Sequence, residues 1–125
     1  MANDPKYRPI DLAAKCDLIE EYWQPRVIAE LNDYQLKVVK LVGDFVWHEH
    51  PETDEAFLVL DGYLRIDFED GHVDLAPGQL FVVPKGVRHK PYAAGEAEVL
   101  LIEPRGVLNT GSEGGDRTAE LDVWI

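Results

Sequence analysis

Cysteine is nearly absent. Cys16 stands alone among 125 residues, so no intramolecular disulfide and no multi-cysteine zinc site can form. Basic residues are scarce, with 12 Lys and Arg against 24 Asp and Glu, a formal charge of −12. A surface this acidic repels phosphate backbones and anionic headgroups, which argues against nucleic-acid and membrane partners. It does not bear on small substrates, because a local cation inverts the field inside a pocket. No apolar run approaches the ~20 residues needed to cross a bilayer, and none sits at the N-terminus ahead of a cleavage site. The expectation is a cytoplasmic protein. Gly-rich phosphate loops and H-E-x-x-H are also missing, and Ser112 lacks a nucleophile-elbow context, so it is expected in solvent.

What is present suffices for one domain. Hydrophobic residues make up 46% of the chain, and a fold of this length buries about two-thirds of its unfolded surface. From Gly43 onward, turn signals recur at intervals of roughly 7 to 10 residues: Asp61-Gly62, Asp70-Gly71, Pro77-Gly78, Pro84-Lys85-Gly86 and Ala94-Gly95. Around them lie strand-like runs: Tyr34–Val42, Phe45–Glu49, Glu55–Leu60, Tyr63–Phe68, His72–Leu75, Leu80–Val83, Val87–Tyr92 and Glu96–Ile102. Such a series predicts an all-β sandwich or barrel. Only Leu12–Trp23 has helical character, for a turn or two. Leu121–Ile125 could return as an edge strand after a loop-like "PRGVLNTGSEGGDRT". The organisation expected is a single domain over 1–125, with a core barrel at about 34–103, an N-terminal arm 1–33 and a C-terminal loop and tail 104–125.

The stretch "GDFVWHEHPETDEAF", Gly43 to Phe57, concentrates two histidines and five carboxylates. Alternate strand residues share a face, so Val46, His48 and His50 point one way and Phe45, Trp47 and Glu49 the other. Two imidazoles at i and i+2 can address one ion. If the next strand pairs alongside, Glu55 brings a carboxylate to them, and His89 after the rigid "PKG" turn is a fourth candidate. Imidazoles with one carboxylate suit a divalent first-row ion such as Mn, Fe, Co, Ni, Cu or Zn. His72, in the Asp-Gly hairpin, is expected in solvent. Cys16 is expected as a small buried filler, and Lys37, Lys40, Arg65, Lys85, Arg88 and Lys90 as solvated strand positions. Arg88 and Tyr92 are candidates for a pocket rim.

These residues resemble the two motifs of the cupin superfamily. The first has the form G-x5-H-x-H-x3,4-E-x6-G, onto which His48, His50, Glu55 and Gly62 fall. The second has the form G-x5-P-x-G-x2-H-x3-N, matched by Gly78, Pro84, Gly86 and His89 in "GQLFVVPKGVRHKPYA". Gly43 stands four residues before His48 rather than five, and Ala93 replaces the closing Asn. The whole also looks similar to small single-domain bacterial cupins of the "mannose-6-phosphate isomerase-like" set.

The resemblance implies a double-stranded β-helix, or jelly-roll barrel, holding one divalent transition metal through His48, His50, Glu55 and His89. Gly62, Gly78 and Gly86 would then serve turns with positive φ. Val46, Phe57, Val59, Phe81, Val83 and Val87 would wall a pocket for a small-molecule ligand or substrate. The first reading is a metal-dependent enzyme on a small organic metabolite, of dioxygenase, lyase, decarboxylase, isomerase or cyclase type. The second is a non-catalytic binding or sensor module that keeps its metal, and the third a barrel the metal merely stabilises. Tyr92 is the one candidate for an assisting catalytic group. An outward Phe45–Trp47 pair would need a cover. Tyr22, Trp23 and Val27 could supply it, and the resemblance tips the choice to a partner chain, hence a homodimer.

Overall fold

The computed structural model describes residues 7–125. A short helix α1 (Leu12–Asp17) precedes seven strands: β1 (Arg26–Leu31), β2 (Tyr34–Asp44), β3 (Glu55–Asp61), β4 (Leu64–Phe68), β5 (Gly71–Leu75), β6 (Leu80–Val83) and β7 (His89–Pro104). All pairings between strands are antiparallel, in the order β1-β2-β7-β3-β6, with β4 joining β5 to β7. This is the jelly-roll barrel the motifs imply.

Strand β7 organises the barrel. Its first residues, His89 to Tyr92, pair with β4, while its later half runs between β2 and β3. The expected turn at Ala94-Gly95 is therefore absent, and two anticipated strands are one. Ala94 to Glu96 lie exposed within it, and the β2 register slips between Leu41 and Gly43 to follow the bend. Gly62 is obligatory nearby, since at φ 78° a Cβ there would meet the Glu96 carbonyl oxygen at 2.5 Å. Gly78 and Gly86 also take positive φ, as expected.

Further differences concern the ends of elements. The helix stops at Asp17, short of Trp23. Arg26–Leu31 is a strand, paired with β2 through an Asn32-Asp33 turn. Leu121–Ile125 returns only as a bridge, with Val27 bonded to Val123 and Ile125. The β4–β5 hairpin turns on Glu69-Asp70, because Phe68 pairs with Gly71.

Inside the barrel, Val39, Leu41, Phe57, Val59, Leu64, Ile66, Leu75, Val83, Ala97 and Val99 form one buried cluster, with Val46, Phe81 and Val87 half-buried against it. A second cluster lies outside the sheet, where Cys16 of α1 and Ile19 just beyond its end pack on Ile28, Val38 and Leu100. Cys16 is the buried filler expected. Burial, aided by the charge on Glu98, pushes its thiol up to about 11, which leaves it unreactive.

Candidate metal centre

Phe45 to Glu49 does not continue as a strand. It is irregular, anchored by a single bridge in which His48 and His89 exchange backbone hydrogen bonds of 2.9 and 2.8 Å. That bridge ties the first histidine pair to the third histidine. The Pro84-Lys85-Gly86 turn is fixed from the same side: Gly86 N–H donates to the His50 carbonyl at 2.8 Å, and Lys85 N–H to Asp54 Oδ1 at 2.8 Å. Glu55 opens β3 on its inward face.

Loss of strand geometry overturns one expectation. Phe45 faces inward, is 7% exposed, and stacks on Trp23 of the same chain at 4.6 Å. Trp23 takes a positive φ of 62° and is held by its indole N–H on the Val42 carbonyl. Its own chain thus covers Phe45, so no partner is needed there. Trp47 does point away from the histidines and lies half-buried in a groove with Phe68 and Arg88.

His48, His50, Glu55 and His89 converge, with one donor atom from each lying within 4.8 Å of the others. None is more than 4% exposed. The Nδ1 atoms of His48 and His89 lie 2.9 Å from the carbonyls of Val46 and Val87. A carbonyl only accepts, so Nδ1 carries a proton in each ring and Nε2 is the nitrogen left free of the backbone, the orientation of a metal-ligating histidine. Burial, then the neighbouring His89 ring, pushes the His48 imidazole down to about 4, so it is neutral at pH 7. Burial opposes charge on Glu55, but the contacts with His50 and His89 outweigh it and hold the carboxyl well below its ordinary range. Glu55 Oε1 sits 3.2 Å from His50 Nε2 and 3.5 Å from His89 Nε2. All three atoms are buried without a hydrogen-bond partner. Buried polar atoms are almost always satisfied. Three orphans facing one point fit a group that binds them all, and the donor set could hold a divalent transition metal.

Beside the donors lies a cleft walled by Trp23, Leu41, Phe45, Phe57 and Leu101, with His48 and Glu55 at its polar end. Its free space is about 30 Å³, room for about two water-sized groups.

Three features here escaped sequence reasoning. Gly111 packs its loop on the first histidine pair, where a Cβ would stand 2.1 Å from the Glu49 carbonyl oxygen and 3.2 Å from His50 Nδ1. Ser112, exposed as expected, bonds that same carbonyl. Lys37, expected in solvent, is 4% exposed and forms a 3.0 Å ion pair with Glu103, which lies one register step beyond the Ala56–Ile102 pair, opposite Glu55. Burial, then the Glu55 charge, pushes the Glu103 carboxyl well above its ordinary range. Alternation could have found both: Lys37 shares a face with Val39 and Leu41, and Glu103 with Val99 and Leu101.

The structure does not bring Tyr92 or Arg88 to the cluster. Tyr92 lies under the Arg65 guanidinium at 4.5 Å and lines a separate groove with Tyr63 and Asp74. Arg88 is exposed near Glu69, and His72 is solvated beside Asp74.

The cupin domain family profile matches residues 38–103. The chain belongs to the cupin family. Among curated relatives, an uncharacterized protein of Bacillus subtilis, YdbB, is 39% identical over 64 residues, half of this chain and 57% of YdbB. The chain thus spans little more than half the length of that relative. A cupin-2 domain containing protein from Shewanella frigidimarina, solved by crystallography, shares 52% identity at a TM-score of 0.76, over 77% of this chain and 94% of that one. Hydroquinone 1,2-dioxygenase PnpCD, solved with Cd2+ and 4-hydroxybenzonitrile, has a TM-score of 0.68 over 77% of this chain and 72% of that one. At 18% identity that likeness to this cupin is one of fold. Among the described residues, no helix is long and apolar enough to cross a membrane.

Proposed function

We propose that this cupin is a metal-dependent enzyme acting on a small organic metabolite. One divalent transition ion is held by His48, His50, Glu55 and His89. The observation that carries the reading is the set of buried, unpartnered Nε2 and Oε1 atoms aimed at one point beside an open apolar cleft. A bound ion would supply Lewis-acid or oxygen-activating chemistry. The protein's own part is to hold the His48 imidazole neutral, orient His48 and His89 through the Val46 and Val87 carbonyls, and exclude water with Trp23, Phe45 and Phe57. The limited space favours a substrate whose oxygen-bearing end is compact. Dioxygenase, lyase, decarboxylase, isomerase and cyclase chemistry are all compatible with that pocket. Screening hydroxylated and carboxylated metabolites against metal-loaded and metal-stripped protein tests the enzyme reading. Turnover that survives stripping sinks it. Metabolite binding without turnover would favour a non-catalytic binding or sensor module.

The same proposal takes the protein to be cytoplasmic, with neither nucleic-acid nor membrane partners. Its lone buried thiol and its charge of −12 support this. It also takes the protein to be a homodimer, on a surface other than Phe45–Trp47. Two apolar rows cross four strands on the outer face: Leu36, Ile102, Ala56 and Val82, and Val38, Leu100, Leu58 and Leu80. Helix α1 covers the Val38–Leu100 region, but Leu80 and Val82 are left 57% and 46% exposed. A contiguous apolar patch of this kind marks an association surface. Light scattering should give twice the chain mass for wild type and the chain mass for Leu80→Glu. A monomeric wild type refutes the dimer.

A further inference from the structure

Behind the ligand Glu55 lies a buried polar row. Strand β7 runs between β2 and β3, so Glu103 faces Gln35 on one side. On the other, one step beyond the Ala56–Ile102 pair, it faces Glu55. Directly opposed residues of an antiparallel pair have Cβ atoms about 4.5–5.5 Å apart. Gln35, Glu103 and Glu55 are 0%, 1% and 3% exposed. Lys37 shares their inward face and is the anchor. Its Nζ donates to Glu103 Oε2 at 3.0 Å and to the Val107 carbonyl at 3.5 Å. Glu103 Oε1 has no hydrogen-bond partner. A buried ion pair is weak evidence of added stability, because the cost of desolvating both charges offsets their attraction. This one stands directly behind a ligand whose carboxylate must be aimed.

We propose that Glu103, anchored by Lys37, is a positioning residue for Glu55, holding the carboxylate in the orientation that presents Oε1 to His50 and His89. The inference rests on the metal-centre reading above. Groups that orient a metal ligand typically change metal affinity by about 10–100-fold when removed. Gln35 does not share the role, because its amide N–H groups go to Glu30 and Asp122, away from Glu55.

The test is titration of full-length, metal-stripped protein with Co(II), reading both the dissociation constant and the visible d–d spectrum, with circular dichroism to confirm folding. Glu103→Leu is expected to weaken Co(II) binding by about 10–100-fold and to alter the spectrum. Glu103→Gln keeps the shape, still accepts from Lys37 and offers an N–H to Glu55, so it should restore both readouts. A merely structural role would lower stability in both variants and leave the spectrum of the folded fraction unchanged. If Glu103→Leu does not fold, Lys37→Met/Glu103→Leu removes both charges together and carries the same expectation. Wild-type affinity and spectrum in the leucine variant or the double variant would overturn the inference, as would a glutamine variant as impaired as leucine. If wild-type protein takes up no Co(II), the metal-centre reading falls, and this inference falls with it.

Discussion

The two ends of the barrel interior share strands β3 and β7 and could hardly differ more. At one end Val59, Leu64, Ile66, Ala97 and Val99 are at most 1% exposed and pack against one another. At the other, still on β3 and β7, come Glu55, His89 and Glu103, equally buried but with oxygen and nitrogen atoms left unpartnered. An apolar end stabilises a fold by burial and close packing. The polar end gives up that contribution: each unsatisfied buried group costs about 1–3 kcal/mol. A chain carries such a cost where the site does something else. The apolar end holds the strands in register, and the polar end uses that register to aim donors.

Substitutions at each end should therefore separate stability from metal uptake. The largest effect is expected from Ile66→Ala at the apolar end. It should cost about 2–5 kcal/mol in urea unfolding. Metal bound per folded molecule should stay at the wild-type value, and a drop in that ratio would erase the distinction between the ends.

Acid should act through the polar end instead. His48 is pushed down to about 4 in the folded state, below its ordinary value of 6.5. The unfolded chain therefore takes up a proton across that interval and the folded chain does not. Stability of the metal-free protein is full above pH 6.5 and falls between about 6.5 and 4, by roughly 3 kcal/mol for this group. The depressed Glu55 adds loss at still lower pH, while the raised Glu103 works in the opposite sense, favouring the fold as pH drops. Urea midpoints across this range should flatten in His48→Gln, and an unchanged slope would remove His48 from the explanation.

Gly111→Ala probes the loop that leans on the polar end. With φ at 55° and a Cβ placed against the Glu49 carbonyl, a loss of about 1–3 kcal/mol is expected, with weaker metal uptake as His50 is released. The smallest effect belongs to Tyr92→Phe. Its ring lies under Arg65 on the outer surface, so metal affinity should match wild type and stability should shift by less than about 0.5 kcal/mol. A clear loss of metal affinity would bring Tyr92 back to the site.

The four converging side chains were legible because their spacing is local: three fall within eight residues, and a short turn fixes the fourth. An all-β sandwich or barrel was legible from turn punctuation, and the jelly roll from the resemblance that the two motifs carry. Phe45 was misplaced because alternation holds only inside a strand, and the backbone there bends to bring His48 onto His89. Ala94-Gly95 read as a turn because its signal is local, whereas the continuity of β7 is imposed by pairing with β2 and β4. Lys37 read as solvated because a lone charge on a strand usually is, and Glu103 drew no reading at all. Their burial depends on a β2–β7 register linking positions 66 residues apart.

The central claim is that His48, His50, Glu55 and His89 act as one metal centre. Elemental analysis of protein purified without added metal, after reloading with a single divalent ion, tests it most directly. Wild type should hold one equivalent per chain, and His50→Ala and Glu55→Ala should each hold well below one while remaining folded by circular dichroism. A wild type that retains no ion, or variants that keep the full equivalent, would contradict it.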